Sequence, residues 1–154
     1  KPRGRKSNFF DGGVFGAIIY QGIFQTMLVL GVYGWALLFP EHQSHTEIHA
    51  DALTMAFATL GLIQLLHAFN VKSVYQSIFK VGLFTNKTFN WSIPVAFVLF
   101  VVTILVPGFN NLFHVSNLSL TQWMVVAVGA LMIVVLVEIV KAVQRALGKD
   151  KNAI

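Results

Sequence analysis

Between Lys87 and Glu138 run 50 residues without one formal charge, TFNWSIPVAFVLFVVTILVPGFNNLFHVSNLSLTQWMVVAVGALMIVVLV (residues 88–137). A helix crossing the hydrocarbon core of a bilayer needs about 20 mainly apolar residues, so the stretch is long enough for two such helices. It breaks at Pro107-Gly108-Phe109-Asn110-Asn111, where proline, glycine and two asparagines signal a turn. Working outward, Asp11 and Glu41 enclose 29 further charge-free residues, and Asp51 and Lys72 enclose 20. Four transmembrane helices are expected, over roughly residues 13–39, 52–71, 89–106 and 120–141.

Composition supports the same reading. The chain has 154 residues, 56% hydrophobic and only 11% charged, with a mean hydropathy of +0.71. A soluble domain carries about a quarter charged residues, so a free cytosolic globule, a disordered tail and a nucleic-acid-binding module are all excluded. With no cysteine there is neither a disulfide framework nor a thiolate metal site. The chain opens on Lys1-Pro2-Arg3-Gly4-Arg5-Lys6, with neither an initiator methionine nor a signal peptide, and reads as a piece of a longer polypeptide.

The placement of charge sets the expected orientation. Lys1, Arg3, Arg5 and Lys6 precede the first helix, Lys72, Lys80 and Lys87 lie between the second and third, and Lys141, Arg145, Lys149 and Lys151 close or follow the fourth. All 11 basic residues thus fall on one side. By the positive-inside rule, this is an all-α membrane protein, a four-helix transmembrane bundle with both termini cytoplasmic. The net charge of +5 is then topogenic, held near lipid headgroups rather than nucleic acid.

Lipid cannot satisfy polar side chains, so those inside spans are functional candidates. Gln64, His67 and Asn70 are spaced i, i+3 and i+6 and approximate one stripe on the second helix, expected to face other helices. The stripe suits either an ion pathway or interhelical hydrogen bonding. Glu138, the one acid inside a span, pairs with Lys141 at i, i+3 near the cytoplasmic interface. The opposite loops carry Glu41, Glu47 and Asp51. They also carry His42, His45 and His49, which if helical would share a face and suit zinc, nickel or copper, although no second half-site is evident. Trp91 and Trp123 sit at interfacial depth on opposite sides. Gly12 and Gly16 form a Gly-x-x-x-Gly pair, with Gly22, Gly31 and Gly34 further along, and close helix packing is the expected use. Asn117-Leu118-Ser119 matches a glycosylation acceptor. Phosphate-loop, dinucleotide and zinc-protease motifs do not occur, so no covalent chemistry is assigned to this chain.

The second helix carries a further resemblance. Thr54-Met55-Ala56-Phe57-Ala58-Thr59-Leu60, followed by Gln64-Leu65-Leu66-His67-Ala68-Phe69-Asn70-Val71-Lys72-Ser73, resembles the eighth transmembrane helix of bacterial calcium-transporting P-type ATPases. Arg3-Gly4-Arg5-Lys6 resembles the basic loop after their sixth helix, and Glu138-Ile139-Val140-Lys141 the Glu-x-x-Lys near the end of their tenth. The resemblance covers essentially the whole chain and implies helices seven to ten, the C-terminal support bundle of an ATP-driven pump.

It further implies that ATP, magnesium and the phosphorylated aspartate belong to cytoplasmic domains outside this chain, and that the principal cation ligands come from absent helices. Pumps carrying two calcium ions place an acid where Gln64 stands, so Gln64 becomes the candidate metal-facing residue beside a vacated second site, with His67 and Asn70 as an interhelical polar stripe. The first loop, Lys1 to Asp11, would contact the phosphorylation domain. Expected partners are the lipid bilayer and the remaining helices and domains of the pump. A free-standing four-helix accessory subunit or small channel is the alternative, and a pump of the same superfamily moving manganese or sodium a further one.

Overall fold

The computed structural model describes residues 14–70 and 87–148, the Asn110 side chain excepted. The basic segment from Lys1 to Asp11, Gly12, Lys72 and Lys80 lie outside these residues, and so do the expectations resting on them.

Each charge-free stretch becomes a helix because lipid leaves a backbone no other way to satisfy its polar groups. Helix α1 spans Val14–Leu38, α2 His45–Asn70, α3 Lys87–Leu105 and α5 Leu120–Ala146. A single short helix, α4 (Phe109–Phe113), fills the break between α3 and α5. All four long helices are long and apolar enough to cross a membrane. The described residues are helices and loops without strands, an all-α multi-span fold.

The polar interruptions have local causes. Gly108 turns the chain at φ 101° and His114 leaves α4 at φ 53°, both in the left-handed region that ends helices. Ser119 caps α5: its hydroxyl accepts from Gln122 N while Gln122 Oε1 accepts from Ser119 N, a reciprocal capping box. Helix α2 begins at His45 rather than residue 52, because Glu47, His49 and Asp51 are helical although they lie outside the apolar run. Helix α5 continues past residue 141 to Ala146 for the same reason.

The helices pack around α2. Tyr33 meets His49 and Gln25 meets Gln64, so α1 runs antiparallel to α2. Phe100 stacks near Phe57 and Phe89 near Phe69, so α3 is antiparallel as well. Helix α5 is parallel to α2: Gln122 bonds Asp51, and Lys141 bonds Asn70. The buried stripe of α5 reads Gln122, Val126, Gly129, Ala130, Ile133, Val137, Lys141, a helical repeat that is apolar in the middle and polar at both ends. It closes on Ala52, Met55, Ala58 and Ile63 of α2 and Val32 and Ala36 of α1.

Close helix approach does not use the expected glycines. A Cβ at Gly16, Gly22, Gly31 or Gly34 would meet open space, and Gly12 lies outside the described residues. The tight crossings are at Gly129, where an added Cβ would stand 2.7 Å from Val32 Cγ2, and at Gly61, where it would stand 2.5 Å from the Phe100 ring. The sequence offers four glycines on α1 but no sign of which one a neighbour overlies, since that depends on register.

Val32 is β-branched and nearly buried, so it has little freedom to withdraw. Gly129→Ala is therefore expected to destabilise the detergent-solubilised bundle by about 1–3 kcal/mol, measured by thermal or denaturant unfolding. Adding Val32→Ala should recover most of the loss, whereas additive losses would place the strain elsewhere.

Candidate functional site

The polar side chains gather at three levels along the bundle. At one end, Asp51 lies in the second turn of α2 and is only 4% exposed. Its Oδ1 accepts from Ser116 Oγ at 2.7 Å, and its Oδ2 accepts from Gln122 Nε2 and from His42 Nδ1, each at 2.9 Å. Thr54, one turn on, donates to Ala50 O and accepts from Ser116 N. Ser119 adds a bond to Glu41 Oε1 at 2.9 Å. One carboxylate thus ties together the α1–α2 loop, the segment after α4 and the start of α5. A buried carboxylate demands such donors, and charge-assisted bonds are the strong ones.

The three histidines do not converge on a metal. His42 precedes α2 and bonds Asp51, His45 opens α2, and His49 bonds the Tyr33 hydroxyl at 3.3 Å. They therefore share no helix face, because α2 begins after His42. Among the described residues no group of three His, Cys, Asp or Glu is placed to hold a metal ion. Ser119 of the Asn117-Leu118-Ser119 triplet is engaged as the α5 cap.

At the other end, Lys141 has no exposed surface and donates from Nζ to the Asn70 carbonyl at 2.8 Å. The expected pairing with Glu138 is present at 3.8 Å, but it is secondary. The ammonium principally caps the last described turn of α2, where carbonyl dipoles favour a cation. Among the described residues, His67 Nδ1 and both side-chain polar atoms of buried Asn70 have no hydrogen-bond partner.

Between the two ends sits Gln64, exposed on the bundle surface, with Nε2 donating to Gln25 Oε1 of α1 at 3.2 Å. The stripe of Gln64, His67 and Asn70 is thus divided: Gln64 faces outward, His67 is half-buried, and Asn70 is enclosed against α5. A spacing of i, i+3, i+6 drifts about 60° at each step, so the three span a third of the circumference. Other polar groups on exposed faces satisfy themselves: Thr26, Ser92 and Thr103 each donate to the carbonyl four residues back.

Trp91 is 75% exposed, whereas Trp123 packs on the core beside Val126. An open groove of about 550 Å³ along α3, lined by Thr88, Trp91, Ser92, Val95, Ala96 and Leu99, is almost wholly apolar.

Sequence reading missed Asp51, Ser116, Gln122 and Gln25 as partners. Ser119-x-x-Gln122 ahead of an apolar run was a legible capping signal. Asp51, by contrast, stands in the sequence as one more acid beside the polar loop, and nothing local marks the donors it gathers from far along the chain.

Such a bundle, locked by polar groups at both ends and built from four helices long and apolar enough to cross a membrane, defines a multi-span membrane protein. Residues 1–143 match the family described as cation transporting ATPase, C-terminus, and the chain belongs to that family. It is 33% identical over 155 residues to calcium-transporting ATPase 1 of Bacillus cereus, covering 94% of this chain and 17% of that protein. It is 32% identical over 145 residues to a calcium-transporting ATPase of Listeria monocytogenes, covering 94% and 16% respectively. A calcium-transporting ATPase of Lactococcus lactis is 28% identical over 129 residues, covering 82% and 15%. The chain therefore spans about a sixth of the length of the relatives it matches.

Asp51→Ala removes the acceptor of three donors, of which the buried Gln122 amide is left without a partner, whereas exposed His42 can turn to water and Ser116 Oγ still reaches Thr54 Oγ1. A loss of about 2–3 kcal/mol is expected for the purified protein. Lys141→Met leaves the Asn70 carbonyl without its donor and Glu138, which keeps some solvent exposure, without its counter-ion, a loss of about 1 kcal/mol. Denaturant unfolding of both variants should rank Asp51→Ala well below Lys141→Met, and the reverse order would move the principal anchor to the Lys141 end.

Proposed function

We propose that this chain is the membrane-anchoring and support part of an ATP-driven calcium export pump, and that it borders the ion site through Gln64 of α2. The observation carrying this reading is the family match over residues 1–143, joined to relatives named as calcium-transporting ATPases. Gln64 fits the role because it is exposed within a span and aimed away from the bundle's own core. ATP and magnesium would be handled by domains outside this chain. The lipid bilayer and the remaining helices of the pump would cover the exposed apolar faces of α1 and α3.

In this reading the basic residues face the cytoplasm, so the Lys141 end lies inside and the Asp51 end outside. This chain contributes no cysteine of its own, so a labelling test needs only the cysteines outside it replaced. In the full-length protein in intact cells, Asn117→Cys should react with a membrane-impermeant maleimide and Leu147→Cys only after permeabilisation. The opposite pattern overturns the orientation.

Calcium, a hard cation, favours carboxylate oxygens, and an amide oxygen is a neutral and weaker ligand. With Gln64 where an acid would serve a second ion, the full-length pump should move one calcium per ATP. Coupled calcium uptake and ATP hydrolysis in proteoliposomes measure this ratio directly, and two ions per ATP would refute the vacated site.

A further inference from the structure

Gln64 does not stand alone on the exposed face of α2. Its Nε2 donates to Gln25 Oε1 at 3.2 Å, across the interface with α1. Gln64 is exposed and Gln25 half-buried, at a level where both flanking helices are apolar. An amide has one donor end and one acceptor end. With the donor end engaged, the Gln64 carbonyl oxygen is the end left over, and among the described residues it accepts no hydrogen bond. The converse arrangement would turn an amide nitrogen outward, a group that repels a cation.

We infer that Gln25 is a positioning residue for the cation: by pairing with Gln64 across the α1–α2 seam it holds the Gln64 amide at one angle to the ion pathway, and in the arrangement seen the Gln64 carbonyl oxygen is the end that pathway meets. The inference rests on the reading of Gln64 as a residue bordering the ion site: with the second site vacated, its carbonyl oxygen is a neutral, weak ligand that the single transported ion still meets beside the remaining site. Gln25 itself touches no cation; it acts through the orientation of its neighbour. In hydrocarbon an unpaired amide finds few other partners, so the pair also keeps Gln64 from folding back onto its own helix.

The test compares Gln25→Met, Gln25→Glu, Gln64→Met and the double Met variant in the full-length protein, reading calcium-dependent ATP hydrolysis against calcium concentration. Gln25→Met removes the acceptor, and the calcium concentration for half-activation should rise about fivefold, the change equivalent to roughly 1 kcal/mol, with kcat at saturating calcium altered far less. Gln25→Glu still accepts and should keep half-activation at or below the wild-type concentration. If Gln25 acts through Gln64, the double variant should be no worse than Gln64→Met alone. A shift in Gln64→Met without one in Gln25→Met, or strictly additive shifts, overturns the role of Gln25 while leaving Gln64 at the site. No shift in Gln64→Met overturns both.

Discussion

The bundle depends on two polar clamps that join the same two helices at opposite ends. Asp51 and Asn70 are 19 positions apart on α2, and their partners Gln122 and Lys141 are 19 positions apart on α5. At 1.5 Å per residue that separation is about 28 Å, close to the ~30 Å thickness of a hydrocarbon core. Both clamps thus fall where water and headgroups begin, and the apolar stripe between them lies in the oil. The match requires α2 and α5 to run parallel and in register, since equal spacings on two parallel helices leave no room for slip.

This arrangement answers a difficulty particular to membranes. Lipid tails are as apolar as leucine, so burying Val126 or Ile133 against Met55 and Ile63 gains little that lipid contact would not also give. Packing of small groups brings the helices close, as at Gly129 against Val32, but a smooth apolar seam scarcely prefers one register over another. The clamps supply that preference, because sliding α5 by a turn would strand a carboxylate and an ammonium together. The Asp51 clamp is the more elaborate, gathering donors from His42, Ser116 and Gln122, and it draws the loops at that end into the fold as well.

Much of this was legible in the sequence, and the remainder was hidden for identifiable reasons. The four helices and their breaks follow from charge-free length and from Pro107-Gly108, both local properties. The Glu138–Lys141 pair was visible because it lies within one helix. Lys141 reaching Asn70, and Asp51 reaching Gln122, were not visible, because each joins residues 71 positions apart and depends on α2 and α5 being parallel neighbours. The three histidines share one face only if a single helix holds them all, and α2 starts after His42. Of the candidate stripe, Gln64 is exposed and Asn70 is enclosed beside α5, because the i, i+3, i+6 spacing turns the three residues through a third of the helix circumference.

The uneven attachment of the helices indicates where such a bundle can yield. Helices α2 and α5 form one body, because relative sliding breaks both clamps at once. Helix α1 is added through Tyr33–His49, Gln25–Gln64 and its contact at Gly129. Helix α3 is held by ring contacts, Phe100 with Phe57 and Gly61 and Phe89 with Phe69, and most of its surface stays exposed. Ring contacts tolerate sliding and tilting far better than charge-assisted hydrogen bonds with fixed lengths and angles. Movement imposed from outside should therefore displace α3 first and leave α2 with α5 in place. Gln64 sits on the fixed body, so its amide is carried by the pair of helices that the clamps join, and its hydrogen-bond partner is Gln25 of the more loosely attached α1.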